Sequence, residues 1–431
     1  MVAIVGGGAA GTLAAVYLLR EAASRRTPLR IALIDRHGRH GLGQAYSTTH
    51  PAHLLNSPAA AMSALADDPG HLARWAAGAG LPRDGFLPRR DYGRYLAENL
   101  EDAERLAWPA ARVSRITATV VAVRRCTKGR ALRLHLAADG RIDADAVVLA
   151  TGSLPSAAPG PVPPGRYVVD PWEPGALDPV ADGSQVAVLG TGLSMLDVAI
   201  ALTDAHPRKA VHVISRHALL PREHSWPRPA AAPVISLPSG TLRLTRLIRD
   251  VRATVAAHPG HWQDVIDALR PQIPRLWEQL PEADRLLFLR LVARYWEVHR
   301  HRVPPETARR AAALASSGRL SVHRGRVLEV SDQPDGLRVR IDHGGRCAEL
   351  AVGWLVNCTG PAADITATAH PLLRQLLEGG LARPDPLRLG LDTGPGGAVR
   401  DVHGRPADIF ALGPLLRGSR YETTAIPEIR D

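Results

Sequence analysis

Cysteine is nearly absent from this chain. Cys126, Cys347 and Cys358 are the only three in 431 residues, no two form a CxxC, and none sits at metal-ligand spacing. A disulfide scaffold, an iron–sulfur cluster and a redox-active dithiol are thereby excluded. Lysine is scarcer still, confined to Lys128 and Lys209, so the formal charge of +11 rests on scattered arginines. No basic block is interleaved with aromatics, which speaks for a GC-rich coding bias and against a nucleic-acid surface. An anionic cofactor or substrate would employ some of these arginines. The 18 histidines contain no HExxH or related run, and Ser194 in "GTGLSML" lacks the partners of a nucleophile, so neither metal nor serine-hydrolase chemistry is expected. The one long uncharged run, 2–19, has no basic leader and is interrupted by Gly6, Gly7, Gly8 and Gly11. It reads as a strand turning into a helix, not as a signal peptide or a membrane span, and a cytoplasmic location is expected.

What the chain does have is two glycine loops. "VAIVGGGAAGTLAAVYLLR" predicts a buried strand, a glycine turn and a helix, followed by the strand "RIALID" ending at Asp35. This is the pattern of a dinucleotide-binding unit. Gly6 permits the tight turn, Gly8 lets backbone approach a pyrophosphate, Gly11 allows close helix packing, and the helix start at Ala9 and Ala10 supplies oriented N–H groups. Asp35, with Arg36 beside it, is placed to receive an adenosine ribose. Near the middle of the chain "SQVAVLGTGLSMLDVAIALTDA" repeats the plan with Gly190 and Gly192, although Met195 replaces the third glycine, so this helix should pack less closely. Its second strand, "AVHVISR", ends in Ser215 and Arg216 instead of an acid, which favours the 2′-phosphate of NADPH over the free hydroxyl of NADH.

The duplication reaches beyond the loops. "ARVSRITATVVAVRR", "ALRLHLA" and "DAVVLATGS" in the first half correspond to "LSVHRGRVLEV", "GLRVRID" and "WLVNCTGP" in the second, making Thr151-Gly152 and Thr359-Gly360 equivalent. The expected fold class is α/β, with two Rossmann-like dinucleotide-binding domains and a helical insertion in the second. The expected division is 1–155 for the first part of one nucleotide domain, 183–360 for the other with its insertion at 241–316, and 361–431 for the return to the first. Two dinucleotides, one per half, would let electrons pass between them. A C-terminal helix starting near Thr423 and Thr424 would aim its N–H groups at an electron-rich ring edge such as a reduced flavin.

Three further stretches have no evident structural need for their composition: "GLGQAYSTTHPAHLLNSPAAAMSA" (41–64), "FLPRRDYGRYL" (86–96) and "RYWEVHRHRVPPE" (294–306). Together with the glycine loops and the terminal "ETTAIPEIR", they resemble the bacterial FAD-NAD(P)-binding oxygenase family. That family is similar to nitrosuccinate-synthase-like amine oxygenases, FAD-dependent urate hydroxylases and, more distantly, ornithine N-hydroxylases. The resemblance covers nearly the whole chain. It implies FAD on Gly6, Gly8, Gly11 and Asp35, with the 41–56 stretch beside the isoalloxazine. There Gly43 and Ala45 would permit close backbone approach, and Gln44, Tyr46 and Asn56 would offer groups matching the ring's polar edge.

In the insertion, Trp296, His299 and Arg300 fall at i, i+3 and i+4 and share one helix face, while Glu297 and His301 share another. The first face is either a solvated surface or an anion clamp at a domain junction, and the resemblance favours the clamp. The expected reaction is reduction of FAD by NADPH, addition of dioxygen at flavin C4a, and transfer of the distal oxygen from the hydroperoxide to the nitrogen of a small amine or amino acid. His299 or His301 would assist loss of the amine proton. Hydroxylation of a heterocycle at carbon, NADPH-linked flavin reduction without oxygen insertion, and a nucleotide-binding sensor remain the alternatives.

Overall fold

The computed structural model describes residues 1–126, 131–156, 160–226 and 242–430. Thr241 and Asp431, the outer limits of the expected insertion and C-terminal segment, lie outside the described residues.

Short runs of aliphatic residues form strands buried on both faces, the pattern of a parallel sheet covered by helices. The first sheet has six strands in the order 398–400, 406–411, 146–149, 2–5, 29–35, 111–117. All but the first of these run parallel, with Val2 opposite Ile31 and Ala146, and Val5 opposite Ile34 and Leu149. Ala9–Arg25 covers one face and ends where Arg26 adopts φ +52°. Arg89–Ala107 packs beside it, burying Tyr92, Tyr95, Leu96, Asn99, Leu100 and Ala103 along one stripe at three- and four-residue spacing.

The second sheet has five parallel strands in the order 320–324, 211–215, 186–189, 354–357, 167–168. Each parallel sheet is accompanied by a three-stranded antiparallel meander, at 120–144 in the first half and 326–352 in the second. The two glycine turns repeat at atomic detail. A Cβ on Gly6 (φ +108°) would lie 2.1 Å from the carbonyl oxygen of Ala150, and one on Gly190 (φ +95°) would lie 2.4 Å from that of Cys358. In both, the turn slides over the strand that ends in Thr-Gly, and only glycine fits. At the third position the halves differ, since a Cβ on Gly11 would meet Gly6 O at 1.9 Å, whereas Met195 is fully buried in the core.

Two of the alternating stretches each divide into two strands. "ARVSRITATVVAVRR" is two strands, Ala111–Thr117 in the parallel sheet and Val120–Arg125 in the meander. "LSVHRGRVLEV" likewise divides at Gly325, where a Cβ would sit 2.4 Å from Ile341 Cγ2 and 2.6 Å from Asp342 O. Alternation continues across both breaks, so periodicity alone does not reveal them. The insertion consists of helices Leu244–Ala257, Trp262–Leu269, Ile273–Gln279, Glu282–Leu287 and Ala293–Arg300, the last two joined by a π-helical turn, Phe288–Val292. Pro305–Ser316, expected to belong to it, instead packs Leu314 into the second unit's core and leads into strand 320–324, as a right-handed crossover requires. Among the described residues no helix is long and apolar enough to cross a membrane.

Candidate functional site

The first glycine loop is laced to the 41–46 segment. Gly41 N donates to Gly7 O (2.9 Å) and to Thr12 Oγ1 (3.1 Å), and the Thr12 hydroxyl donates to Gly7 O (3.1 Å). A Cβ on Gly8 would lie 3.3 Å from Gly43 Cα, so the bare backbone at Gly8 admits this segment as well as any phosphate. Asp35 accepts from Gly7 N at one oxygen (3.1 Å) and from His37 N (2.9 Å) and Arg39 N (3.1 Å) at the other. It closes the loop while remaining half-buried at the strand end. Arg36 points outward and pairs with Glu173 of the segment that precedes the second unit.

The resemblance-derived contacts of the 41–56 stretch divide. Tyr46 is buried against Tyr92, ring centroids 4.8 Å apart, and burial drives its hydroxyl pKa well up. It is a core residue and not a polar wall. Gln44 is exposed and donates to Asp170 Oδ2 (2.5 Å), and the main-chain carbonyl of Asn56 accepts His224 Nε2–H (2.9 Å). Both tie the first unit to the second. Thr151 and Thr423 each carry a buried hydroxyl with no partner among the described residues. Gly152 (φ +74°) has open space where a Cβ would stand. Gly413 lies between Ala10 and the carbonyl of Thr423, so the C-terminal segment returns to the first glycine loop. Its helix starts at Ile426, three residues later than expected, and spans only Ile426–Arg430.

A cavity of about 1120 Å³ lies along the second glycine loop. Its walls are residues 190–194, Ser215 to His217, the helix positions Arg294, Glu297, Val298 and His301, the turn 359–361, and Arg417, Tyr421, Glu422 and Thr424, with Ser153 from the first unit. Gly192 opens onto it, with nothing within 4 Å of a built Cβ. In its wall Arg216 is joined by Arg326 and Arg294, with Arg324 close by on the neighbouring strand. The parallel register sets Ser215 against Arg324, which is why residues over a hundred positions apart make one cationic patch. Partial burial and then the charges of Arg294, Arg216 and Arg324 hold the His217 pKa below its usual value.

The helix 293–300 presents the opposite face from the one expected. Arg300 is buried, with Nη2 3.2 Å from Glu428 Oε1 and Nε 3.6 Å from Glu422 Oε2. Trp296 Nε1 donates to Glu422 (2.7 Å), and Arg270 makes a two-point contact with Glu428. His299 donates to its own helix, at Tyr295 O (2.7 Å), and stands edge-on to Trp262. The anion clamp is thus already filled by two glutamates of the terminal segment. Glu297 and His301 face the cavity instead, His301 Nε2 lying 3.0 Å from Glu297 Oε2. Tyr421 OH donates to the other Glu297 oxygen (3.2 Å), with Arg417 Nη2 at 3.4 Å. Burial alone would raise the Glu297 pKa, but His301, Arg417 and Tyr421 hold it below the ordinary carboxylate range. Tyr421 adopts φ +61°, a strained conformation for an aromatic residue, held by its stack on Trp277 at 4.6 Å. No sequence signal marks this residue, because its partners come from two distant segments.

Residues 3–154 match the family model described as FAD-NAD(P)-binding. The N-terminal unit is an FAD-NAD(P)-binding domain. Over the whole chain, the protein is similar in fold to ornithine hydroxylase from Pseudomonas aeruginosa, with a TM-score of 0.63 at 15% identity, covering 100% of this chain and 95% of that one. It is similar also to ornithine N-hydroxylase from Kutzneria sp. 744 (0.63, 18%, 100% and 95%) and to L-lysine 6-monooxygenase from Pseudomonas syringae (0.63, 16%, 100% and 96%). Comparison with curated protein sequences finds no match.

Proposed function

We propose that the protein is an FAD-dependent, NADPH-consuming monooxygenase that transfers one oxygen atom of dioxygen to the nitrogen of a small amine or amino acid. The observation that carries this reading is the cavity, whose walls combine the second glycine loop with Ser153 and with the terminal segment that returns to the first loop. Two dinucleotides seated on the two loops would face each other there. Similarity in fold to enzymes named for hydroxylation of ornithine and lysine supports nitrogen as the acceptor.

The residues fit both groups. FAD would lie on Gly6, Gly8, Ala9, Ala10 and Gly11, with its ribose at Asp35 and its ring near the orphaned hydroxyls of Thr151 and Thr423. NADPH would lie on Gly190 and Gly192, with its 2′-phosphate among Ser215, Arg216 and the neighbouring arginines. The bound flavin, once reduced, supplies the activation of dioxygen. The chain does the rest. Helix 293–300, tied down through Arg300, forms one wall of the cavity, and with both dinucleotides seated it would help to limit water there, which favours oxygen transfer over loss as hydrogen peroxide. His301, oriented by Glu297, takes the proton that a substrate ammonium must lose before its nitrogen can attack.

A screen of small amines and amino acids with FAD, NADPH and air, read by mass spectrometry, tests the proposal. A mass gain of one oxygen that needs both NADPH and dioxygen is expected. Oxygen uptake with no amine modified would refute it.

A further inference from the structure

Three stretches singled out in the sequence meet at the helix that follows the second glycine loop. Arg89 of "FLPRRDYGRYL" places Nη2 2.7 Å from Asp197 Oδ2 of "VLGTGLSMLD", with side-chain exposures of 15% and 6%. The contact is close but off-line for a hydrogen bond. His53 of "HPAHLLN" donates Nε2–H to the carbonyl of the same Asp197 (3.0 Å), its other nitrogen accepting from Thr48 at 2.6 Å. Trp172 completes the group. Its ring lies under the Arg89 guanidinium at 5.5 Å and edge-on to His53 at 5.7 Å, and its Nε1 donates to Ser194 at 3.3 Å.

Arg89 and His53 belong to the first unit, and Asp197 and Ser194 to the helix Leu193–Ala205 that starts at Gly192. Asp197 lies about one and a half turns beyond that loop on a rigid element. Burying two charges costs free energy that apolar side chains of the same volume would not, so stability does not explain the pair. What a charge pair offers and an apolar contact does not is direction. Helix packing alone tolerates sliding and rotation, whereas a guanidinium fixed on Trp172 and facing one carboxylate defines an orientation.

We infer that Arg89 and Asp197 are positioning residues, a joint that holds the second dinucleotide's helix at a set angle to the flavin unit and so fixes the distance over which hydride passes. The inference rests on the function proposed above. Further charged and titratable groups around the joint are Tyr46 near Arg89, His50, which faces Asp204 and Arg310, and Cys358 and Asp170 near Asp197.

The test uses full-length, FAD-loaded protein and three variants, Asp197→Asn, Arg89→Lys and the double change Arg89→Gln with Asp197→Asn. Anaerobic stopped-flow with NADPH gives the limiting rate of flavin reduction and the apparent NADPH affinity. A misplaced helix should slow reduction about tenfold to a hundredfold while affinity changes less than about twofold. The double change, which leaves no unpaired buried charge, should restore thermal stability without restoring the rate. A double variant that regains both would overturn the inference, as would single variants that lose stability at an unchanged rate. An independent readout needs no turnover: nitroxides at Glu101 and Asp335, in a chain lacking Cys126 and Cys347, report the distance between units by pulsed electron resonance. Asp197→Asn should broaden that distribution. An unchanged distribution defeats the joint whatever the activity, whereas wild-type protein that NADPH cannot reduce defeats the proposed function and leaves the distance test to decide the joint.

Discussion

Arg300 and Glu428, 128 residues apart in the chain, meet at 3.2 Å, and Glu422 lies 3.6 Å from the same guanidinium. This relationship turns a presumed substrate contact into a strap that holds the terminal segment, with Thr423 and Thr424, between the two units. Removing the guanidinium leaves two nearly buried carboxylates short of a partner. Breaking such a pair costs about 3–5 kcal/mol, less here because Arg270 still holds Glu428. Arg300→Ala should therefore lower the melting temperature by several degrees and weaken FAD binding, both measurable by thermal melts with and without added FAD. Unchanged melting would show that the strap is slack.

Cofactor choice should depend on Arg216. Loss of a charge-assisted contact to the 2′-phosphate is worth about 1.5–3 kcal/mol, roughly tenfold to a hundredfold in affinity. Arg216→Ala should raise the NADPH Michaelis constant by that factor and leave the NADH value alone. Equal effects on both cofactors would remove Arg216 from the phosphate site.

Gly8 is bracketed by the Gly43 backbone and the presumed pyrophosphate. A valine there would push the 41–46 segment outward and fill the cradle. Gly8→Val should purify folded but colourless, as absorbance of the flavin band and circular dichroism together would reveal. A folded variant with full flavin content contradicts the assignment.

Asp197 gives a pH signature. Burial, only partly offset by Arg89, raises its pKa from 3.8 to about 6. A carboxyl raised in the folded state favours folding fully below its unfolded pKa, and that contribution disappears as pH rises through the folded value. Between pH 4 and 7 the wild type should thus lose up to about 3 kcal/mol relative to Asp197→Asn. Urea unfolding of both proteins across this range measures the difference. A difference independent of pH would mean that Asp197 titrates normally.

His301→Ala should spare flavin reduction by NADPH and lower product formation by roughly a hundredfold near neutral pH, the usual weight of a general base. The loss should shrink toward pH 10, where free amine forms without help. Uniform loss at every pH would assign His301 a structural task instead.

Much of the fold was legible in local patterns. Glycine turns, aliphatic strands and the strand-end residues, Asp35 in one unit and Ser215 with Arg216 in the other, lie within thirty or so residues of one another, so both nucleotide units could be read from order alone. The strand breaks at Gly325 and after Thr117 were hidden because alternation runs through them. The cavity wall was hidden for a different reason. Helical spacing correctly separated the Trp296–His299–Arg300 face from the Glu297–His301 face, but it carries no information on which one meets the cavity. That is decided by Glu422 and Glu428, more than a hundred residues downstream. Tyr46 and Gln44 show the same limit, since one is drawn into an aromatic cluster with Tyr92 and the other across to Asp170.

The central claim is that the two loops bring FAD and NADPH together to oxygenate nitrogen. It is tested most directly by supplying the FAD-loaded protein with NADPH, its amine substrate and heavy-oxygen-labelled dioxygen, and measuring labelled product, NADPH consumed and hydrogen peroxide released. The account predicts one labelled oxygen on the product nitrogen for each NADPH oxidised, with little peroxide. Product without label, or NADPH oxidation that ends only in peroxide for every amine offered, would contradict it.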